Sequence, residues 1–127
     1  MTIPAKSKLM AFVATRDGTR ARAFYEGTLG LTVLSDDDFA LALDANGTMV
    51  RVQKVGGFEP HPFTALGWEV DDIAAVARTL RAAGVKTERY PGLDQDEQGI
   101  WLAPSGARIA WFKDPDGNTL SLTQMNG

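Results

Sequence analysis

The chain contains no cysteine. Disulfide scaffolds, thiol catalysis and thiolate-held zinc are thereby excluded, and a reducing, cytoplasmic setting is the expected one. Histidine is nearly as scarce: His61 is the single one among 127 residues. A metal site built on two imidazoles is therefore excluded within one chain, and any histidine-dependent acid–base mechanism has only this residue to use. Long apolar runs are missing too, none approaching the roughly 18 residues that span a bilayer. Lys6 and Lys8 are not followed by a signal-like apolar stretch. Nor is there an excess of positive charge. Thirteen Lys and Arg stand against 16 Asp and Glu, a net charge of −3, and the basic residues are scattered, which argues against a nucleic-acid partner. No Gly-rich nucleotide loop is present. What remains is ordinary for a globular protein, 44% apolar and 23% charged, with a length suited to one domain or to two half-domains sharing one core.

Along the chain, Leu9 to Thr15 reads as a strand and Thr19 to Leu29 as a helix. Ala21, Phe24, Tyr25 and Leu29 form its apolar face, Asp17 or Thr19 caps it and Gly30 ends it. Leu31 to Leu34, Phe39 to Asp44 and Thr48 to Lys54 read as strands, the last two closing a hairpin at Asn46-Gly47. Asp36-Asp37-Asp38 reads as a solvated loop. After a linker of about residues 56–62 the order starts again. Phe63 to Val70 is a strand, Asp71-Asp72 a cap, and Ile73 to Ala83 a helix ended by Gly84. Val85 to Tyr90 is a strand, followed by a polar loop to Gln98. Gly99 to Ala103 and Ala107 to Phe112 form a hairpin, and Thr119 to Gln124 is the last strand after the turn Asp114-Pro115-Asp116-Gly117-Asn118. The two halves thus form an internal repeat. Module one covers about residues 6–55 and module two about 63–125 of a single domain spanning 1–127.

Two signatures, Arg16-Asp17-Gly18-Thr19 through Phe24-Tyr25 to Leu29-Gly30-Leu31, and Phe112-Lys113-Asp114-Pro115-Asp116-Gly117-Asn118, accompany this repeated order. With them the chain resembles the vicinal oxygen chelate superfamily of glyoxalase I, bleomycin-resistance proteins and extradiol dioxygenases. The resemblance implies an α+β fold of two βαβββ modules in tandem, forming a curled mixed sheet with a cup-shaped cleft. It also implies four metal-ligand positions in the metalloenzyme members. Seven residues before the Asp that opens each helix, these fall on Met10 and Ala65; on the last strand of each module they fall on Arg51 and Ser121. A thioether, a methyl group, a permanent cation and a hydroxyl do not make a ligand set for a hard metal. The expectation is therefore no metal, no cofactor and no catalytic residue.

Side-chain alternation sorts the strands into faces. Leu41, Leu43, Val50 and Val52 suit packing under a helix, as do Leu66, Trp68 and Val70. The opposite faces present Met10, Phe12, Arg51, Glu69, Trp101, Ile109, Trp111 and Ser121, an apolar, aromatic site with few polar groups, of the kind that binds small molecules. The alternatives are specific. Trp101 and Trp111 serve a core or a dimer contact, and Arg51 pairs with Asp44 or Glu69. Glu69 is a base or a plain polar contact, and His61 a solvated or dimer-contact residue. Asp114, Asp116 and Asn118 do not continue into a calcium loop, because Thr119 and Met125 occupy the required Gly and Glu positions.

The expected function is metal-free binding of a planar or aromatic ligand, an antibiotic or a metabolite, by a homodimer with neither nucleic-acid nor membrane partners. The first rival is a metal-dependent lyase or dioxygenase with displaced ligands such as Gln53, Glu69 and His61. The second is a structural or regulatory dimer with a collapsed cup.

Overall fold

The computed structural model describes residues 2–125. They divide into two compact units, one running up to Phe58 and the other from Glu59, and the strands pair into two four-stranded mixed sheets.

In the first unit β1 (Met10–Thr15) is followed by α1 (Gly18–Arg22), β2 (Thr32–Asp36), β3 (Ala40–Ala45) and β4 (Thr48–Lys54). The sheet order is β1-β4-β3-β2, with β1 parallel to β4 and the other pairs antiparallel. Asp17 caps α1, its carboxylate accepting the Arg20 N–H at 3.1 Å. The expected helix from Thr19 to Leu29 is corrected here. Only five residues are α-helical, and Ala23–Thr28 forms a π-helical turn. Its signature is the Leu29 N–H donating to the Phe24 carbonyl five residues back, at 2.9 Å. Phe24 and Tyr25, adjacent in sequence, are both buried there, and their rings meet edge to face at 5.2 Å. Gly30 then takes φ of 79°, and the Leu31 N–H reaches the Tyr25 carbonyl, closing the helix end.

The hairpin follows the sequence closely. Ala42 pairs with Arg51 and Leu43 with Val50. The turn between them has positive φ at both Asn46 (50°) and Gly47 (92°), the geometry that matches the twist of paired strands. Leu41, Leu43, Val50 and Val52 are at most 2% exposed. They pack beneath α1, each such side chain contributing about 1.5–3 kcal/mol. The loop after β2 is solvated but not idle. Asp36 pairs with Lys54 at 2.5 Å and Arg22 at 3.1 Å, while Asp37 accepts the Phe39 and Ala40 N–H groups.

In the second unit β5 (Thr64–Glu69) leads to α2 (Ile73–Ala82), β6 (Trp101–Leu102), β7 (Arg108–Lys113) and β8 (Thr119–Gln124). The order β5-β8-β7-β6 repeats that of the first sheet, again with the outer β5 parallel to β8. Asp72 caps α2 by accepting the Ala75 N–H, and Gly84 ends it with φ of 87°. Ile73, Ala77 and Leu80 are buried, and Trp68 stacks on the buried Phe112 at 6.5 Å. In the turn after β7, Asp114 accepts the N–H groups of Asp116 and Asn118 on one oxygen and the Asn118 side-chain amide on the other, at 2.8 to 3.0 Å.

One expected strand does not form. The backbone of Val85 to Tyr90 joins the sheet through a bridge from Thr87 to Phe112 and an N–H from Glu88 to the Trp111 carbonyl. The remainder of the outer edge of β7 is taken by Trp101 and Leu102. The chain therefore leaves the edge after Glu88 and returns at Trp101. A side chain holds this detour. The Gln95 amide accepts the Tyr90 N–H at 2.8 Å and donates to the carbonyls of Glu88 at 2.9 Å and Gly99 at 2.8 Å.

Candidate functional site

Strand neighbours in register share a face, so the pairing of the second sheet places the predicted residues in two rows. Glu69, Thr123, Ile109 and Trp101 run across β5, β8, β7 and β6. Gly67, Ser121 and Trp111 form the next row. The Trp101 and Trp111 rings lie 6.2 Å apart, tilted by 31°. Both are half-buried, as is Ile109, whereas Glu69 is exposed.

A third aromatic completes the group. Tyr90 meets Trp111 edge to face at 5.3 Å with rings at 90°, a favoured geometry for aromatic pairs. Burial, and secondarily the Glu88 carboxylate, raises its phenol above the usual tyrosine range. Sequence reasoning missed this residue, reading it as the end of a regular strand. The detour stapled by Gln95 is what turns it toward Trp111, and a side-chain amide accepting a distant backbone N–H leaves no periodic signal.

Ser121 sits in the middle of this face, 8% exposed. A Cβ at Gly67 would collide with its hydroxyl, so the glycine gives the serine its room. Among the described residues this hydroxyl has no hydrogen-bond partner in the structure. The hydroxyl itself is open to solvent, and its unused donor and acceptor capacity beside an indole makes it a polar handle for a ligand.

In the first sheet the predicted residues again lie together. Phe12, Arg51 and Ala42 form one row, and Met10, Met49 and Asp44 the next. Met10 and Phe12 are 45% and 46% exposed. The alternative pairing of Arg51 with Asp44 does not occur: Asp44 accepts the Gly47 N–H in the hairpin turn, and the half-buried Arg51 makes no ion pair among the described residues.

The four positions that the resemblance implies as metal ligands carry Met10, Arg51, Ala65 and Ser121, and this donor set does not fit a hard cation. No group of three or more His, Asp or Glu suited to a metal occurs among the described residues. His61 is exposed and stacks on Phe63 at 4.9 Å. No helix among the described residues is long and apolar enough to cross a membrane.

Comparison with known proteins bears on these faces. The model of the Glyoxalase/Bleomycin resistance protein/Dioxygenase superfamily matches residues 9–122. A bleomycin resistance determinant encoded on the transposon Tn5 superposes with a TM-score of 0.74 at 24% identity, over 94% of this chain and 98% of that one. TnmS3, an antibiotic-binding protein from Streptomyces sp. CB03234, gives 0.72 at 24% identity, over 99% of both chains. A superfamily member from Sphaerobacter thermophilus DSM 20745 gives 0.74 at 24% identity, over 98% and 99%. A search of curated proteins gave no significant match. At these identities the solved structures speak for the fold alone, while the family model spans most of the sequence: the chain belongs to the Glyoxalase/Bleomycin resistance protein/Dioxygenase superfamily.

Proposed function

We propose that this protein binds a small planar or aromatic molecule, an antibiotic or a metabolite, without a metal and without transforming it. The observation that carries the reading is the cluster of Tyr90, Trp101 and Trp111 beside the unpartnered Ser121 hydroxyl. A flat ligand stacked on an indole gains about 0.5–1.5 kcal/mol beyond the apolar area it buries. Ser121 supplies a hydrogen bond from within the same sheet. Two of the structural neighbours carry names that refer to bleomycin resistance and to antibiotic binding, which supports the class of ligand. Met10 and Phe12, large apolar residues nearly half exposed on one sheet face, favour a second copy of the chain as partner. A cytoplasmic location remains part of the proposal.

The test is a titration of tryptophan fluorescence with a panel of planar aromatic compounds, including bleomycin. Saturable quenching by one of them, weakened at least tenfold in Trp111→Ala, is the expected result; a tenfold loss corresponds to about 1.4 kcal/mol. Unchanged affinity in that variant removes Trp111 from the site. Thermal unfolding of chelator-treated protein with added nickel, cobalt, zinc, manganese or iron(II) tests the metal-free part. A filled native site would raise the midpoint by about 10 °C, and such a shift with one metal per chain overturns the reading.

A further inference from the structure

A groove lies on the helix side of the second sheet, away from the aromatic face. It runs between the last turns of α2 and residues 85–89 and has a volume of about 210 Å³. Thr87 bridges to Phe112, which is buried on the side where α2 packs on β7. Trp111, next to Phe112 along β7, points the other way. Val85, Lys86, Thr87 and Arg89 of the extended segment line the groove, while Tyr90 touches Trp111.

The groove brings together Arg81, Lys86 and Arg89 against one carboxylate, Glu97. Arg89 is held in place, donating to the carbonyls of Gln95 at 3.4 Å and Glu97 at 2.8 Å. A guanidinium has five N–H donors, so others remain for a ligand. The side chains of Arg81 and Lys86 make no hydrogen bond or ion pair among the described residues. The walls do not need a ligand to form. The Thr87 hydroxyl donates to the Gln98 carbonyl at 2.7 Å, and the Gln98 amide donates to the Ala74 carbonyl at 3.1 Å, tying the polar loop to both the strand segment and α2.

We propose that this groove binds a small multivalent anion, a polycarboxylate or a phosphate, between Arg81, Lys86 and the free edge of Arg89. The groove is small, about 210 Å³, a size that suits such an ion rather than an extended polymer. Arg89 is already oriented by the backbone and loses little conformational freedom on binding, while Arg81 and Lys86 give a compact charge donors that no other group claims, which offsets the cost of ordering two long side chains. The site is independent of the aromatic face, and it stands or falls separately.

The test uses the full chain labelled with ¹⁵N, titrated separately with inorganic phosphate and with citrate at ionic strength held constant by sodium chloride. Saturable shifts confined to amides near residues 81, 86–89 and 97–98 are expected. Saturation by only one anion assigns the ligand class and supports the site. The Arg81→Gln/Lys86→Gln double variant should bind at least about tenfold more weakly, as the loss of charge-assisted hydrogen bonds requires. Both residues are exposed, so its melting temperature should be unchanged. Glu97→Gln, which removes the competing carboxylate, should bind more tightly. Shifts that rise linearly across all surface amides, or equal affinity in the double variant, overturn the proposal.

Discussion

Replacing Asp114 by alanine tests the turn that carries the second family signature. The Asp114 carboxylate accepts from three donors: the N–H groups of Asp116 and Asn118, and the Asn118 side-chain amide. Asp114, Asp116 and Asn118 are 5%, 4% and 6% exposed, so water has poor access to the orphaned donors. Each buried donor left unsatisfied costs about 1–3 kcal/mol. The turn can relax to rescue part of this, so the total is set at about 3–5 kcal/mol, near the top of what single substitutions do. For a chain of this length each kcal/mol moves the midpoint by about 3–5 °C, so Asp114→Ala should melt about 10–20 °C lower. Asp114→Asn keeps an oxygen that can accept both backbone N–H groups and loses the contact with the Asn118 amide. It should cost about 1–2 kcal/mol. Calorimetry on the three proteins at one pH decides the matter. An alanine variant within about 3 °C of the parent would refute the ledger of donors.

Three further perturbations have defined outcomes. The partners Lys54 and Arg22 hold the Asp36 carboxyl below its ordinary value of 3.8, so their stabilisation is fully present above that value and is lost as pH falls through the lower folded one. The melting-temperature gap between the parent and Asp36→Asn should accordingly be open near neutrality, close in acid, and shrink in molar salt; a gap that persists at low pH contradicts the assignment. Gly47→Ala forces a Cβ into φ of 92° and should cost about 1–2 kcal/mol, read from denaturant midpoints with an unchanged slope. Gln95→Ala removes the amide that joins Glu88, Tyr90 and Gly99. It should cost about 1–3 kcal/mol and weaken the near-ultraviolet circular dichroism of the Tyr90–Trp111 pair; an intact aromatic signal would show that Tyr90 is held by something else.

Residues whose role is local were legible in the sequence. Asp17 and Asp72 announce helix starts because a carboxylate meets free N–H groups there, and Asn46-Gly47 announces a hairpin because both residues tolerate positive φ. That hairpin fixed the register of β3 against β4, pairing Ala42 with Arg51 and Leu43 with Val50, and the second hairpin, between Gly99–Ala103 and Ala107–Phe112, placed Trp101 beside Ile109. The π turn at Ala23–Thr28 was not legible, since its apolar spacing is also helical and the change is a shift of hydrogen-bond partner by one residue. Val85 to Tyr90 misled for the opposite reason. Its residues suit a strand, but the edge they would fill is shared with Trp101 and Leu102, and occupancy of an edge is decided by the whole sheet. Of the candidate site, what was legible is which residues share a sheet face. Tyr90 was missed because a detour, rather than alternation, delivers its ring.

The divided outer edge of β7 has an evolutionary consequence. Its two anchors, Thr87–Glu88 and Trp101–Leu102, are fixed by a central strand whose ladder with β8 runs over six residue pairs. The stretch between them is bound to the sheet mainly through one glutamine side chain. Insertions or exchanges around residues 91–94, ahead of Gln95, would therefore reshape the margin of the aromatic face without sliding any strand. A lineage could retune what such a protein recognises by editing one short, polar segment, while the scaffold that presents the tryptophans stays untouched.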